Sequence, residues 1–218
     1  MTTKHQEKFL QACKEGDQEL VKSLLDKIKD KDFCSDEGLT PMYMSIESGN
    51  LNLTNFLIDQ GFPLESCNDG LSPLAAAIVS NSIQAIDLLV KKGADVNKPF
   101  NNSSKTLPLG FAVFKGKKEI VMRLIEEGAD INQTVPVHVK EIGTDLMPLL
   151  CIAAQSGNLD ILEILAENAD VNQKTKMGVS ALWLLFVTKK AELVDFQTRA
   201  AKILLQKGAR LDALEENK

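Results

Sequence analysis

No run in this 218-residue chain approaches the ~18 consecutive apolar residues that a membrane-spanning helix requires, and its opening stretch, MTTKHQEKFLQACKEG, has no apolar core of a secretory leader. The expectation is a soluble, intracellular, cytoplasmic protein. Basic residues are not in excess: 25 Lys and Arg stand against 30 Asp and Glu, a formal charge of -5. That balance excludes the positive field by which proteins hold nucleic acid or an anionic membrane surface, so neither is expected as a partner. Histidine is scarce. His5 falls in an N-terminal tail expected to fray and His138 in an inserted segment, and neither has a second histidine or a Cys-x-x-Cys beside it to complete a metal site. Cys13, Cys34, Cys67 and Cys151 stand 21, 33 and 84 residues apart, which fits neither a zinc spacing nor a dense disulfide scaffold. They read as reduced thiols, with Cys151 at a core-facing helix position. A glycine-rich phosphate loop is missing too, and Lys91-Lys92 and Lys117-Lys118 read as solvated helix faces. These absences leave no catalytic constellation: no enzyme, no metal and no cofactor is expected.

What the chain does have is a phrase written three times. LLVKKGADVN at 88–97 returns as RLIEEGADIN at 123–132 and as EILAENADVN at 163–172. With 44% hydrophobic and 25% charged residues the chain is long and apolar enough to bury a core. Degenerate copies flank the phrase, so that Gly61, Gly93, Gly128, Asn168 and Gly208 share one position, at steps of 32, 35, 40 and 40. A period near 33 with occasional insertions marks a stacked repeat array. A second landmark, a glycine or polar residue about twelve positions upstream, recurs at Gly16, Gly49, Asn81, Gly116, Gly157 and Lys189. Six units fit, approximately 5–38, 39–70, 71–105, 106–145, 146–178 and 179–218, within one domain.

Each unit reads as two short helices. In TPMYMSIESGNLNLTNFLIDQG, Thr40 caps the first helix and Pro41 occupies a position with no amide to lose. Leu53, Phe56 and Leu57 give the second helix a one-sided apolar stripe, which ends at Gly61, able to take the left-handed conformation. Asn168, the usual second choice, stands in for that glycine in the fifth unit. The middle of the first helix is small in the first five units, at Ala12, Ser45, Ala77, Ala112 and Ala153, before becoming Leu185. Small residues there let neighbouring pairs approach, and one pair cannot bury its apolar face without the next.

The stretches TPMYMSIESGN, SPLAAAIVSNS, LPLGFAVFKGK and PLLCIAAQSGN, with the three phrases above, resemble the ankyrin-repeat family over nearly the whole chain. The resemblance implies an all-α solenoid of helix-turn-helix units that works as a non-catalytic protein-protein interaction module, monomeric, binding a protein along its inner face. The family's histidine is replaced by Tyr43, Ala75, Gly110, Cys151 and Trp183, so a less regular stack is expected. Val135, Val137 and Val139 alternate with Pro136, His138 and Lys140 in an insertion at 133–146, which suggests an extended finger or hairpin, with the proline favouring an edge-like projection over a regular strand. The last unit carries about eight extra residues, expected to lengthen its second helix by about two turns into a cap.

By the same resemblance, candidate partner-binding residues are Leu39, Leu71, Thr106, Met147 and Val179 before each first helix, Glu47, Val79, Phe114, Gln155 and Val187 near its end, and Phe100 and Met177 in the turns. The alternative for each is that it tucks against the adjacent turn. Asparagines of the Asp-Val-Asn turn are hydroxylated in this family where a leucine lies eight positions earlier; Asn97 and Asn132 keep that spacing from Leu89 and Leu124, and Ile164 stands in for the leucine before Asn172. The other reading of these asparagines is that they hold the turn through bonds to backbone. A further alternative is a host-protein binder of the kind bacteria deliver into cells.

Overall fold

The computed structural model describes residues 3–65, 71–100, 105–139, 143–187 and 194–210. Cys67, Lys140 of the inserted segment and the expected turn at Lys189 lie outside them. The chain divides into two compact units, Met1–Pro108 and Leu109–Lys218. The first holds three consecutive helix pairs: α1 (Lys4–Glu15) with α2 (Gln18–Leu24), α3 (Pro41–Glu47) with α4 (Leu51–Asp59), and α5 (Pro73–Val79) with α6 (Ile83–Lys91). At the boundary α7 (Pro108–Phe114) opens the second, followed by α8 (Lys118–Glu126), strands β1 (Thr134–Val139) and β2 (Gly143–Pro148), and the pairs α9 (Leu149–Ser156) with α10 (Leu159–Asn168) and α11 (Ala181–Val187) with α12 (Val194–Gln206). The architecture is all-α, as expected.

Local chemistry starts and stops these helices. Thr40, Ser72 and Ser180 accept the backbone N–H three residues on and so cap α3, α5 and α11. Asp17, Asn50, Ser82 and Asn158 do the same for second helices. Asn50 also reaches across the repeat, its Nδ2 donating to the Gly16 carbonyl at 2.9 Å. The turn between paired helices needs a left-handed residue; glycine supplies it at 16, 49, 116 and 157, and Asn81, at φ 53°, supplies it in the third pair. His5 does not lie in a frayed tail. Thr3 and Gln6 form a reciprocal capping box that starts α1 at Lys4, and His5 is an exposed residue of its first turn.

Within the first unit α3 packs on α1 and on α5, and within the second α11 packs on α9 while α10 packs on α8 and α12. Ala12, Ser45, Ala77, Ala112 and Ala153 are wholly buried, which is the close approach their size permits. Ser45 brings a hydroxyl into that seam, and its Oγ is satisfied by the Met42 carbonyl at 2.9 Å and by Thr54 Oγ1 at 3.0 Å.

Two expectations need correction. Asn168 does not take the place of a terminal glycine: it stays inside α10, and Ala169, extended at φ -95°, closes the helix on the Leu165 carbonyl. In the other units the alanine bonds back five residues, as Ala94 to Leu89 and Ala129 to Leu124, so the fifth phrase is one residue short. The buried leucine is therefore Leu165, with Ile164 half-buried beside it.

Of the finger and the hairpin that the alternation allows, the insertion forms the hairpin, and its pairing is regular rather than edge-like, with Pro136 opposite Leu146 and Val137 opposite Asp145. Proline is tolerated because opposed residues in such a ladder exchange bonds only at alternate pairs. The Leu146 N–H is accordingly taken by the Asp145 carboxylate at 2.8 Å. The hairpin also accounts for Gly110, because a Cβ there would lie 2.8 Å from Val135 Cγ2 and 3.3 Å from Gln133 Oε1. The final helix runs 13 residues where it is described, against nine in α8, and residues 188–193 just before it lie outside those described, so the expected two-turn lengthening falls partly outside them.

Candidate functional site

Every first helix carries one residue that the packing leaves outside. Ile46, Ile78, Val113 and Ala154 are buried, and the next residue along, Glu47, Val79, Phe114 and Gln155, is exposed each time, with Val187 exposed at the same place in α11. The rotation between consecutive helical positions produces this: the small seam residue and its successor face neighbours, and the following one turns away. In the second unit the series reads Phe114, Gln155, Val187. Phe114 is 70% exposed, the most exposed of the large apolar side chains among the described residues. An aromatic ring left in water at the end of a helix whose Leu109, Ala112 and Val113 are wholly buried is unexplained by stability. In the first unit the series is Glu47 and Val79, and the Glu47 carboxylate has a neighbour in Tyr43, whose phenol is held above its ordinary value first by burial and then by that charge.

The second set, before each first helix, behaves differently. Leu39, Leu71, Thr106 and Val179 are half-buried, and their backbones close the turns. Ser35, Phe100 and Thr175 donate their N–H groups to the carbonyls of Leu39, Thr106 and Val179 at 2.9, 3.0 and 2.9 Å, and the Leu71 N–H reaches the Gly38 carbonyl at 2.8 Å. Two members are corrected outright. Phe100 is only 4% exposed and accepts the Ser72 N–H at 3.1 Å, so it is core, and Met147 is buried at the foot of β2. Neither ring nor thioether is available to a partner. Met177, at the tip of the turn before α11, is exposed.

The turn asparagines hold backbone. Asn132 Oδ1 accepts the Asp170 N–H at 2.9 Å, Asn172 Oδ1 accepts the Arg210 N–H at 2.9 Å, and Glu65 fills the same role toward Asp95 at 3.0 Å. The Asp of each phrase also accepts the N–H two residues on, as Asp95 from Asn97 and Asp130 from Asn132. Asn97 and Asn132 are both exposed.

Chemistry of other kinds finds no footing among the described residues. No cluster of three metal-ligating side chains occurs, and no helix is long and apolar enough to cross a membrane. Cys13 and Cys151 are buried, which pushes each thiol up to about 12, with the Asp145 charge a lesser cause at Cys151. Thiols so raised are poor nucleophiles. Sequence reasoning missed the apolar surface of Phe186, Val194 and Leu205 at the last helix pair. Its signal was available, since Phe186 extends the uncharged run ALWLLFV past the buried Leu185, and Val194 and Leu205 stand in a helix that also carries Asp195, Arg199 and Lys202.

The chain matches the family model described as "Ankyrin repeats (3 copies)" over residues 9–100 and 109–215. It is 29% identical over 212 residues to alpha-latrocrustotoxin-Lt1a of Latrodectus tredecimguttatus, covering 89% of this chain and 13% of that protein. It is 28% identical over 125 residues to the B-cell lymphoma 3 protein homolog of Mus musculus, covering 55% of this chain and 28% of that one. The chain thus spans a small part of these relatives' length. Its fold is similar to the crystal structure of the human ASB11 ankyrin repeat domain, with a TM-score of 0.68 at 19% identity, covering 93% of this chain and 83% of that one.

Proposed function

The chain belongs to the ankyrin-repeat family, and from that premise we propose that it is a non-catalytic, cytoplasmic binding module that holds a protein partner on the face carrying Phe114, Gln155 and Val187. The observation that carries the reading is the Phe114 ring, 70% exposed on a helix whose Leu109, Ala112 and Val113 are wholly buried. Aromatic anchors in the middle of a surface contribute most of an interface's energy, and the polar Gln155 beside the apolar Val187 suits the mixture of pocket and rim such interfaces have. The buried, protonated thiols of Cys13 and Cys151 agree with a reducing compartment.

The test is capture by the immobilised chain. Phe114→Ala is expected to lower the yield of bound partner, corresponding to about 2 kcal/mol or more, with circular dichroism and melting temperature unchanged. Met122→Ala is the matched control, an exposed apolar residue on a second helix; Lys118 is unsuitable because it pairs with Asp160 at 3.1 Å. Equal capture by both variants moves the site off this face, to the hairpin.

A second reading treats the array as a substrate of asparaginyl hydroxylation at Asn97 and Asn132, and the exposure of both side chains favours it. Intact-mass analysis of native material decides it: one added oxygen at either residue supports the reading, and its consistent absence removes it.

A further inference from the structure

In the second unit acidic and basic side chains are sorted onto different helices. The second helices α8 and α10 carry Glu119, Glu126, Glu127, Asp160, Glu163 and Glu167, whereas α7, α9 and α11 carry no Asp or Glu. Because α9 packs on α10, its exposed Gln155 faces away from that acidic layer. The charge on the first-helix side is positive. Lys115 follows Phe114, and Lys174 and Lys176 stand in the turn that leads to α11; all three are exposed, and among the described residues none forms an ion pair. Asp145 meets that turn but is buried, its carboxylate accepting the N–H groups of Leu146 and Lys176 at 2.8 and 3.1 Å. In a chain whose formal charge is -5, a side with lysines and no available carboxylate runs against composition. The same places in the first unit are acidic, with Glu47 in α3 and Asp36 and Glu37 in the turn before it.

These lysines flank apolar surface. A Cβ at Gly110 would lie 3.6 Å from Leu149 Cδ2 and one at Gly116 3.6 Å from Asn158 Nδ2, so α7 and α9 run side by side and Phe114 is a neighbour of Gln155. Phe111, Phe114 and Lys115 share one stripe at three- and four-residue spacing. The Lys115 Nζ lies 5.3 Å from the centroid of the Phe111 ring, held by an aromatic face rather than by a carboxylate. At the turn, Met177 is 45% exposed beside Lys176.

We propose that the partner segment held on the Phe114 face is acidic: an extended stretch of chain that sets an apolar side chain against Phe114 and turns Asp or Glu carboxylates toward Lys115 and Lys176. The proposal rests on the reading of that face as the binding surface and adds the chemistry of what it binds. Complementary charge fixes register and speeds encounter, while the buried apolar contact supplies most of the affinity. With helix axes about 8–10 Å apart, a segment of about six extended residues crosses from α7 over α9 to the turn before α11.

A phage-displayed library of random dodecapeptides, selected on the immobilised full chain, tests it. The selected sequences are expected to be rich in Asp and Glu, poor in Lys and Arg, and to carry a large apolar residue. A synthetic copy of the leading peptide should bind more weakly as salt is raised, and at least about tenfold more weakly to a Lys115→Glu, Lys176→Glu double variant. Lys115→Ala with Lys176→Ala is read in its place should the glutamate variant lose helical signal. Neutral or basic peptides that still require Phe114 overturn the proposal and leave the face as the binding surface. Acidic peptides that bind Phe114→Ala undiminished overturn both. Recovery of no peptide above background overturns the proposal as well, and so does competition for the lysines by a labelled oligonucleotide, which makes nucleic acid the occupant.

Discussion

Asn132 Oδ1 and the Asp170 N–H, 38 positions apart in the chain, meet at 2.9 Å, and Asn172 repeats the bond to Arg210 at the same separation and distance. The asparagine that ends one phrase thus holds the backbone at the start of the next turn. Glu65, though not an asparagine, occupies the corresponding place and holds Asp95. The side-chain acceptor matters at this position more than the residue's identity.

Asn132→Ala removes this bond and frees an N–H that water reaches, so the expected loss is about 1 kcal/mol. Denaturant unfolding measures it. Asn132→Asp, which keeps an acceptor oxygen, is expected to retain more of the stability than alanine does, and equal losses would remove the bond from the account.

Ala153→Leu is expected to destabilise by about 1–3 kcal/mol, because Ala153 is wholly buried where α9 meets α11 and extra methylenes have no room. A melting temperature equal to that of the unsubstituted chain would show that this helix contact is looser than the burial indicates.

Gly110→Ala tests the seat of the hairpin. Its φ is not in the left-handed region, so backbone strain plays no part, and the cost is the contact of the new Cβ with Val135 and Gln133. About 1–3 kcal/mol is expected. Val135→Ala in the same chain should recover part of that loss, a coupling that a double-mutant cycle reads directly.

The buried thiols make stability fall at alkaline pH. Unfolded, Cys13 and Cys151 ionise from 9.0; folded, burial holds both protonated to about 12. Between those values the unfolded state binds fewer protons than the folded one, so stability decreases as pH rises through that window. Tyr43, also raised, acts in the same direction above its ordinary 10.0. Denaturation midpoints at pH 7 and pH 10 measure the fall, and a Cys13→Ala, Cys151→Ala double variant should flatten it. Alkylation of the native protein near pH 8 should spare both thiols and reach the half-buried Cys34.

Periodicity and caps were enough to place the helix pairs. Small residues at Ala12, Ser45, Ala77, Ala112 and Ala153, and Pro after Thr40 or Ser72, are local facts that allow little but short helices packed closely side by side. Where the sequence misled, the deciding interaction was between residues far apart. EILAENADVN aligns letter for letter with its sister phrases, and only the burial of Leu165 in place of Ile164 reveals the missing residue. Gly110 reads as a lost histidine until Val135 and Gln133, brought back by the hairpin, are seen to occupy the space a side chain would need.

The residues alone determined that this chain is a stack of helix pairs bearing apolar side chains on more surfaces than a stable core demands. Which of those side chains face water was decided by tertiary structure. Phe100 and Phe114 are equally apolar and equally plausible as anchors on paper; one is 4% exposed and the other 70%. The difference is physical: Phe100 sits in a turn that folds back on Thr106 and Ser72 and is covered by what it bonds to, whereas Phe114 ends a helix one position past the buried Val113 and is rotated out of the packing.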